Sequence, residues 1–112
     1  SPFNSQNTFL SREAIKKYFM FPFVGRMDDI WASYYLTGLG FKVVYSKASV
    51  FQFRNEHDLT IDFEKEIQGY IHNSNLIQDL QKDPESIRKH LPEKSRFAFD
   101  LYLSLAEEAD TF

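Results

Sequence analysis

The residues best suited to chemistry are two adjacent carboxylates, Asp28 and Asp29, which stand between Arg26 and Trp31. Adjacent carboxylates repel each other, so one can be held partly protonated or poised as a base, as glycosyl chemistry requires. The same pair also suits the start of a helix, because Asp at the N-cap and in the first turn satisfies free backbone N–H groups and the helix dipole. The spacing alone leaves both interpretations open.

Other signatures of enzyme chemistry are missing from the sequence. The four glycines are too scattered for a phosphate-binding loop, and neither a zinc-ligand spacing nor a serine-centred elbow is present. His57, His72 and His90 are isolated from one another, and we interpret each as a surface or capping residue. We predict no metal site and no cofactor from this chain alone.

The elements that would position the acidic pair follow from residue periodicity. Apolar spacing predicts a helix over residues 11–20 with Ser11 as its N-cap, and a second helix that Asp28 caps and Gly38 ends. Residues 41–45 and 49–53 are rich in β-branched and aromatic side chains, which favours a short β pair. Residues 1–8 are polar and predict an extended loop.

Aromatic residues form a stripe on the second helix, at Trp31, Tyr34 and Tyr35. Flat apolar rings suit the C–H faces of a pyranose, but a stripe at helical spacing equally fits a buried core. The chain has 12 Phe, 6 Tyr and 1 Trp, which is more ring surface than a small core easily hides. Either these rings fill the core, or some form an exposed patch through which the chain could self-associate.

The back half is predicted to be helical throughout. A long helix begins at residue 58 and breaks at 73–75, a short helix follows, another starts at Asp83-Pro84, and the last covers 93–109. The sequence therefore predicts an α+β fold, mostly helical with a short β pair. We predict a single domain over 1–112, with the motifs in 1–56 and a helical tail in 57–112.

Composition excludes several classes of function. With 13 basic and 16 acidic residues the net charge is −3, which disfavours nucleic acid binding. The longest apolar run, 18–24, is much shorter than the roughly 20 residues that span a bilayer, so we predict no membrane span. Cysteine is absent, which fits a reducing compartment, and we expect a cytoplasmic protein.

Several segments of the chain resemble a known family. Residues 25–33, continued through Gly38-Leu39-Gly40 to Ser46-Lys47-Ala48-Ser49, look like the Gly-Arg-Tyr-Asp-Asp-Met-Trp-Ala-Gly and Ser-Lys-Ala-Ser segments of the reversibly glycosylated polypeptides, the UDP-arabinopyranose mutase family. Asn4-Ser5-Gln6-Asn7-Thr8 is similar to a segment of the STELLO-type glycosyltransferases. The similarity covers residues 4–72.

This resemblance implies the C-terminal, acceptor-side portion of a GT-A nucleotide-sugar glycosyltransferase. Asp28 and Asp29 match the family's acidic pair near the reacting sugar, where a carboxylate serves as base or orients an acceptor hydroxyl. Arg26 matches the family's basic residue before the acidic pair, which neutralises a phosphate or holds a carboxylate. Lys47 matches the lysine of the Ser-Lys-Ala-Ser segment and either reaches a diphosphate or is a solvated surface group. Apart from the resemblance, Trp31 is the candidate sugar-stacking ring, and the amides of Asn7 and Gln6 either bind sugar hydroxyls or a uracil edge or tie the opening loop to the backbone. The implied ligands are a nucleotide-activated sugar and a sugar acceptor.

The resemblance also indicates what this chain does not carry. The nucleotide-binding strands and the Asp-x-Asp motif of GT-A enzymes lie in their N-terminal half, and no such motif occurs here, so we expect a segment that is incomplete as an enzyme. A full-length family member implies Mn²⁺ or Mg²⁺, yet Tyr45 stands where the family has a His suited to a metal. The alternative is a non-catalytic helical module that binds a protein or glycan partner.

Overall fold

The computed structural model describes residues 2–53 and 58–109. Along these residues the order is α1 Arg12–Ile15, a first 3₁₀ helix Gly25–Met27, α2 Asp28–Gly38, α3 Leu59–Lys82, a second 3₁₀ helix Pro84–His90 and α4 Glu93–Ala109. The chain is mostly helical, at 63%. Within the described residues, none of the helices has the length and hydropathy needed to cross a membrane.

The first helix is shorter than its sequence predicts. Ser11 is its N-cap, because the Ser11 hydroxyl accepts the Ala14 N–H at 3.2 Å. The predicted extension to Met20 is wrong, since the N–H groups of Lys17 and Tyr18 both donate to the Ala14 carbonyl at 3.0 Å. Two donors that share one acceptor stop the hydrogen-bond ladder from advancing, so the helix ends at Ile15.

The start of α2 also differs from the prediction. Asp28 has helical dihedrals (φ −53°, ψ −55°) and follows the first 3₁₀ helix directly, so it lies in the first turn and is not the cap. The helix ends at Gly38, as predicted, but the residue that takes the left-handed conformation is Gly40, with φ +100°. The N–H of Gly40 donates to the Thr37 carbonyl at 3.0 Å and so satisfies one of the last free acceptors.

The predicted β pair is wrong, and so is the α+β fold class with its likeness to a GT-A α/β fold. Neither residues 41–45 nor residues 49–53 form a strand, and no strand occurs elsewhere in the part of the chain that the structure describes. β-branched residues favour a strand only where a neighbouring strand and a packed face support it. Here Val44, Phe51 and Phe53 are more than four-fifths exposed, so no packed face supports pairing.

The predicted break at 73–75 is wrong as well, because α3 runs unbroken for 24 residues from Leu59. Its N-cap is Asp58, whose carboxylate accepts the N–H groups of Thr60 and Ile61 at 2.9 and 3.4 Å. The Asn73 side-chain oxygen accepts the Trp31 indole N–H at 2.7 Å. That contact and the burial of Leu76 on the same helix override the low helix propensity of the Asn-Ser-Asn run.

The second 3₁₀ helix and α4 follow their sequence signals closely. Asp83 accepts the Glu85 N–H at 3.1 Å at the start of the turn that contains Pro84. The last helix has the predicted limits, Glu93–Ala109.

The hydrophobic core forms around α2, whose Trp31, Ala32, Tyr35 and Leu36 are at most 2% exposed. Phe99 of α4 is fully buried and meets Phe21 and Tyr35 edge to face, with ring centroids 5.0 and 5.3 Å apart. Edge-to-face pairs of this kind add to the stabilisation that burial alone gives. The other fully buried apolar side chains come from α3 and the second 3₁₀ helix, namely Leu76 and Ile87.

Candidate functional site

The acidic pair anchors the N-terminal loop to the start of α2. The Ser5 backbone N–H donates to Oδ2 of Asp29 at 2.9 Å, and the Ser5 hydroxyl donates to the same oxygen at 3.2 Å. These bonds join residues 24 positions apart in the sequence. One of the two predicted catalytic carboxylates is therefore engaged in holding residues 4–8 in place.

Asp28 has a different environment, although it is the next residue. Its Oδ1 accepts the Asp29 N–H at 2.7 Å, and the residue is half-buried. Burial raises the pKa of Asp28 above its ordinary value, and the neighbouring charge of Asp29 raises it further, while the hydrogen bond from the Asp29 N–H opposes the shift. A carboxylate whose pKa is raised in this way is a better proton acceptor than an ordinary aspartate.

Tyr18 lies close to both aspartates and was not among the residues predicted for the site. Its ring is only 9% exposed and stacks on Phe3, with centroids 5.9 Å apart, and its hydroxyl has no hydrogen-bond partner among the described residues. Burial, followed by the charges of Asp29 and Asp28, raises the pKa of the Tyr18 phenol to about 12. The phenol is thus a buried neutral donor beside a carboxylate.

A groove of about 660 Å³ opens between the N-terminal loop and residues 41–49. Asn7 and Ser49 lie on opposite walls and are linked by a 3.4 Å contact from the Asn7 side-chain amide to the Ser49 hydroxyl. Lys42 and Lys47 also line the groove, and no Asp or Glu does so within the described part of the chain. In a chain of net charge −3 this groove is locally positive.

Two of the other predicted binding residues, Arg26 and Trp31, make side-chain contacts within the fold. The Arg26 guanidinium lies 2.9 Å from Asp62 and 3.7 Å from Glu66, so it links the first 3₁₀ helix to α3. Trp31 is 1% exposed and donates its indole N–H to the Asn73 amide oxygen at 2.7 Å. The Gln6 backbone N–H donates to the Asn4 side chain at 3.1 Å within the exposed loop.

The prediction that the histidines are isolated from one another is wrong for two of them, because the His72 and His90 ring centroids lie 6.5 Å apart. His90 Nε2 lies 2.8 Å from the Asp79 carboxylate, and His72 meets the Trp31 ring edge to face at 6.2 Å. His57 lies outside the described residues. Across 2–53 and 58–109 no three His, Cys, Asp or Glu side chains come together as cation ligands.

Two contributors to the site carried little signal in the sequence. Ser5 gave none, because nothing in the local pattern marks a bond across 24 residues. Tyr18 could have been suspected from its helical spacing with Ala14, which indicated a buried face, but its nearness to Asp28 depends on the turn that follows Ile15.

No family model, curated protein or solved structure matches this chain.

Proposed function

We propose that this chain is the acceptor-side segment of a glycosyltransferase that acts on a nucleotide-activated sugar. The proposal is supported by one observation in particular. Three segments separated along the sequence, 4–8, 28–29 and 46–49, are joined by the Ser5–Asp29 and Asn7–Ser49 contacts. These are the segments on which the family resemblance rests.

Within this proposal the two aspartates have different roles. Asp28 is the candidate base for an acceptor hydroxyl, because burial and the neighbouring charge raise its pKa. Asp29 is the positioning residue, since its Oδ2 holds the loop through Ser5. The Tyr18 phenol is buried near both carboxylates, has no hydrogen-bond partner among the described residues and stays protonated at neutral pH.

The groove is the candidate binding surface for the charged part of the substrate. Lys47 and Lys42 supply positive charge, and Asn7 supplies an amide that can pair with hydroxyl groups or with a uracil edge. A diphosphate would be attracted to this surface in a chain that is otherwise acidic. We also expect a cytoplasmic location, on the absence of cysteine.

Sugar transfer and ligand binding test this proposal separately. In protein that contains this chain, Asp28→Asn is expected to lower transfer at least tenfold, with a smaller effect on sugar-nucleotide affinity. Lys47→Ala is expected to weaken UDP-sugar binding measured by calorimetry. Lys82→Ala, which removes an exposed charge at the end of α3, is the control and is expected to change neither. Normal transfer by both Asp28→Asn and Asp29→Asn would contradict the catalytic assignment.

A second candidate is a non-catalytic module that binds a protein or glycan partner. It is favoured by apolar side chains that α3 leaves exposed, with Phe63, Ile67, Tyr70 and Ile71 between 42 and 67% accessible. Phe63 and Tyr70 stack on each other at 5.2 Å and form a flat aromatic surface. Calorimetry with UDP-sugars and Mn²⁺ discriminates the two candidates, because metal-dependent binding by this chain argues against a purely non-catalytic module.

A further inference from the structure

The outer face of α4 carries an apolar stripe that the described residues leave exposed. Phe97, Leu101 and Leu105 are 74, 52 and 54% exposed. The opposite face of the same helix holds Ser95 and Phe99, which are fully buried in the core. Among the described residues, the stripe is therefore an exposed second apolar face on the side of α4 that points away from the core.

The stripe has an internal symmetry that centres on Leu101. Phe97 and Leu105 lie four residues before and after it, and Lys94 and Glu108 lie seven residues before and after it. At about 100° per residue, all five positions fall within about 40° of the direction of Leu101. Along this face a cationic side chain is followed by three apolar side chains and then by an anionic one.

We propose that this face pairs with the same face of a second copy of the chain, with the two α4 helices antiparallel. A two-fold axis at Leu101 places Leu101 against Leu101 of the second copy and Phe97 against Leu105 of the second copy. The same axis places Lys94 against Glu108 of the second copy. A two-fold interface needs a self-complementary surface, and this stripe is one.

Charge selects the antiparallel arrangement over the parallel one. The first turns of α4 contain Lys94 and Arg96, and its last turn contains Glu107 and Glu108. Each set lies at the end where the dipole of its own helix disfavours it, and only Glu93 follows the usual preference. Antiparallel pairing brings the acidic end of one helix to the basic end of the other, whereas parallel pairing brings like charges together.

The local surroundings of the stripe are compatible with close approach. Lys94 Nζ lies 5.8 Å from the centroid of the exposed Phe23 ring, which holds the ammonium at this end of α4. Ala98 flanks the stripe on one side and Ser104 on the other, and both are small. Two helices can therefore pack at the usual interaxial distance of about 8–10 Å. This interface does not depend on the proposed function.

A cysteine scan tests the register directly, because the chain has no cysteine of its own. Under mild oxidation Leu101→Cys is expected to form a covalent dimer, since position 101 meets its own copy on the axis. Phe97→Cys is the matched control on the same stripe: it lies about 12 Å along the axis from its own copy, too far for a disulfide. An equal mixture of Phe97→Cys and Leu105→Cys chains is expected to cross-link as a heterodimer.

Sedimentation velocity on the full chain tests the association without covalent cross-linking. The chain is expected to shift from monomer toward twice the monomer mass with rising concentration, and Leu101→Glu is expected to abolish the shift while its circular dichroism stays unchanged. Lys94→Glu and Glu108→Lys are each expected to weaken the dimer, and the double variant is expected to restore it.

Three results would overturn the proposal. The first is a monomer at every concentration, which would leave the stripe to some other partner. The second is cross-linking of Phe97→Cys that is as efficient as that of Leu101→Cys, and the third is a double charge variant that dimerises no more tightly than the single variants.

Discussion

Asp29 accepts two hydrogen bonds from Ser5 on a single carboxylate oxygen, at 2.9 Å from the backbone N–H and 3.2 Å from the hydroxyl. This contact fixes the polar loop of residues 4–8 against the first turn of α2. The loop also forms one wall of the groove through Asn7 and Thr8. The shape of the groove therefore depends on a carboxylate that lies outside it.

Removing this anchor is the first prediction. Asp29→Ala is expected to lower the free energy of unfolding by about 1–3 kcal/mol, because it removes two hydrogen bonds that each contribute about 0.5–1.5 kcal/mol. Ser5→Ala keeps the backbone bond and is expected to cost less. The deciding measurement is hydrogen exchange at the Ser5 backbone amide. The loss of a negative charge from the first turn of α2 also changes the stability of the protein, but it does not change the hydrogen bonding of this amide. Unchanged protection of the Ser5 amide in Asp29→Ala would contradict the role of the anchor.

The second prediction concerns Asp28 and pH. Because burial and Asp29 raise its folded-state pKa, the folded protein holds this proton more tightly than the unfolded chain does. The resulting stabilisation is present below the ordinary pKa of 3.8 and is lost as pH rises through the folded-state value. Asp28→Asn, which cannot ionise, is therefore expected to be more stable than the native chain at neutral pH.

Urea unfolding at several pH values measures this effect. The difference between Asp28→Asn and the native chain is expected to be small in acid and to grow toward neutral pH. Asp100→Asn is a control in which an exposed carboxylate that pairs with Arg88 is removed, and it is expected to destabilise instead. A native chain that is more stable than Asp28→Asn at neutral pH would rule out the environment described for Asp28.

The sequence predicted α4 and the N-cap at Ser11 correctly, because these depend on local chemistry. It failed where distant residues decide the structure. The Asn-Ser-Asn run at 73–75 has the composition of a break, yet the bond from the Trp31 indole to Asn73 keeps it helical. For the same reason the stretch from Phe41 to Tyr45 has strand composition but forms no strand, since strand pairing needs a partner that the described chain does not supply.

In the candidate site, too, the sequence predicted what depends on neighbouring residues and missed what depends on distant ones. The acidic pair stood out from its residue types, but the difference between Asp28 and Asp29 arises from a loop that folds back over 24 residues. Trp31 fitted either a sugar platform or the core, and only its 1% exposure distinguishes them. Spacing along a helix fixes which side chains share a face, and tertiary packing decides what that face meets.

The third prediction follows from the Trp31–Asn73 bond. Asn73→Ala leaves the buried indole N–H without an acceptor, which is expected to cost about 1–3 kcal/mol of unfolding free energy. Asn73→Asp keeps the acceptor oxygen and serves as the control, with a smaller expected loss. Trp31 is the only tryptophan in the chain, so its fluorescence reports unfolding in urea without interference. Equal stability of Asn73→Ala and Asn73→Asp would show that the bond contributes nothing.

The fourth prediction concerns two glycines with positive φ. Gly25 has φ +64°, and a Cβ added there would lie 2.9 Å from the Lys65 carbonyl oxygen of α3. Gly40 has φ +100°, and nothing lies within 4 Å of a Cβ added there. Both Gly→Ala variants are expected to lose about 1–3 kcal/mol to backbone strain, but only Gly25→Ala also presses on another element.

Amide exchange separates strain from contact at these glycines. The Lys65 carbonyl is the helical acceptor for the Gly69 N–H, four residues later in α3. Gly25→Ala is therefore expected to reduce the protection of the Gly69 amide by more than its loss of global stability explains. The reason is that the added Cβ meets backbone atoms, which cannot move aside as a flexible side chain does. Gly40→Ala is expected to lower the protection of this amide only as far as global stability falls. If the two variants lower Gly69 protection in the same proportion to stability, the close approach between the first 3₁₀ helix and α3 is not a constraint on the fold.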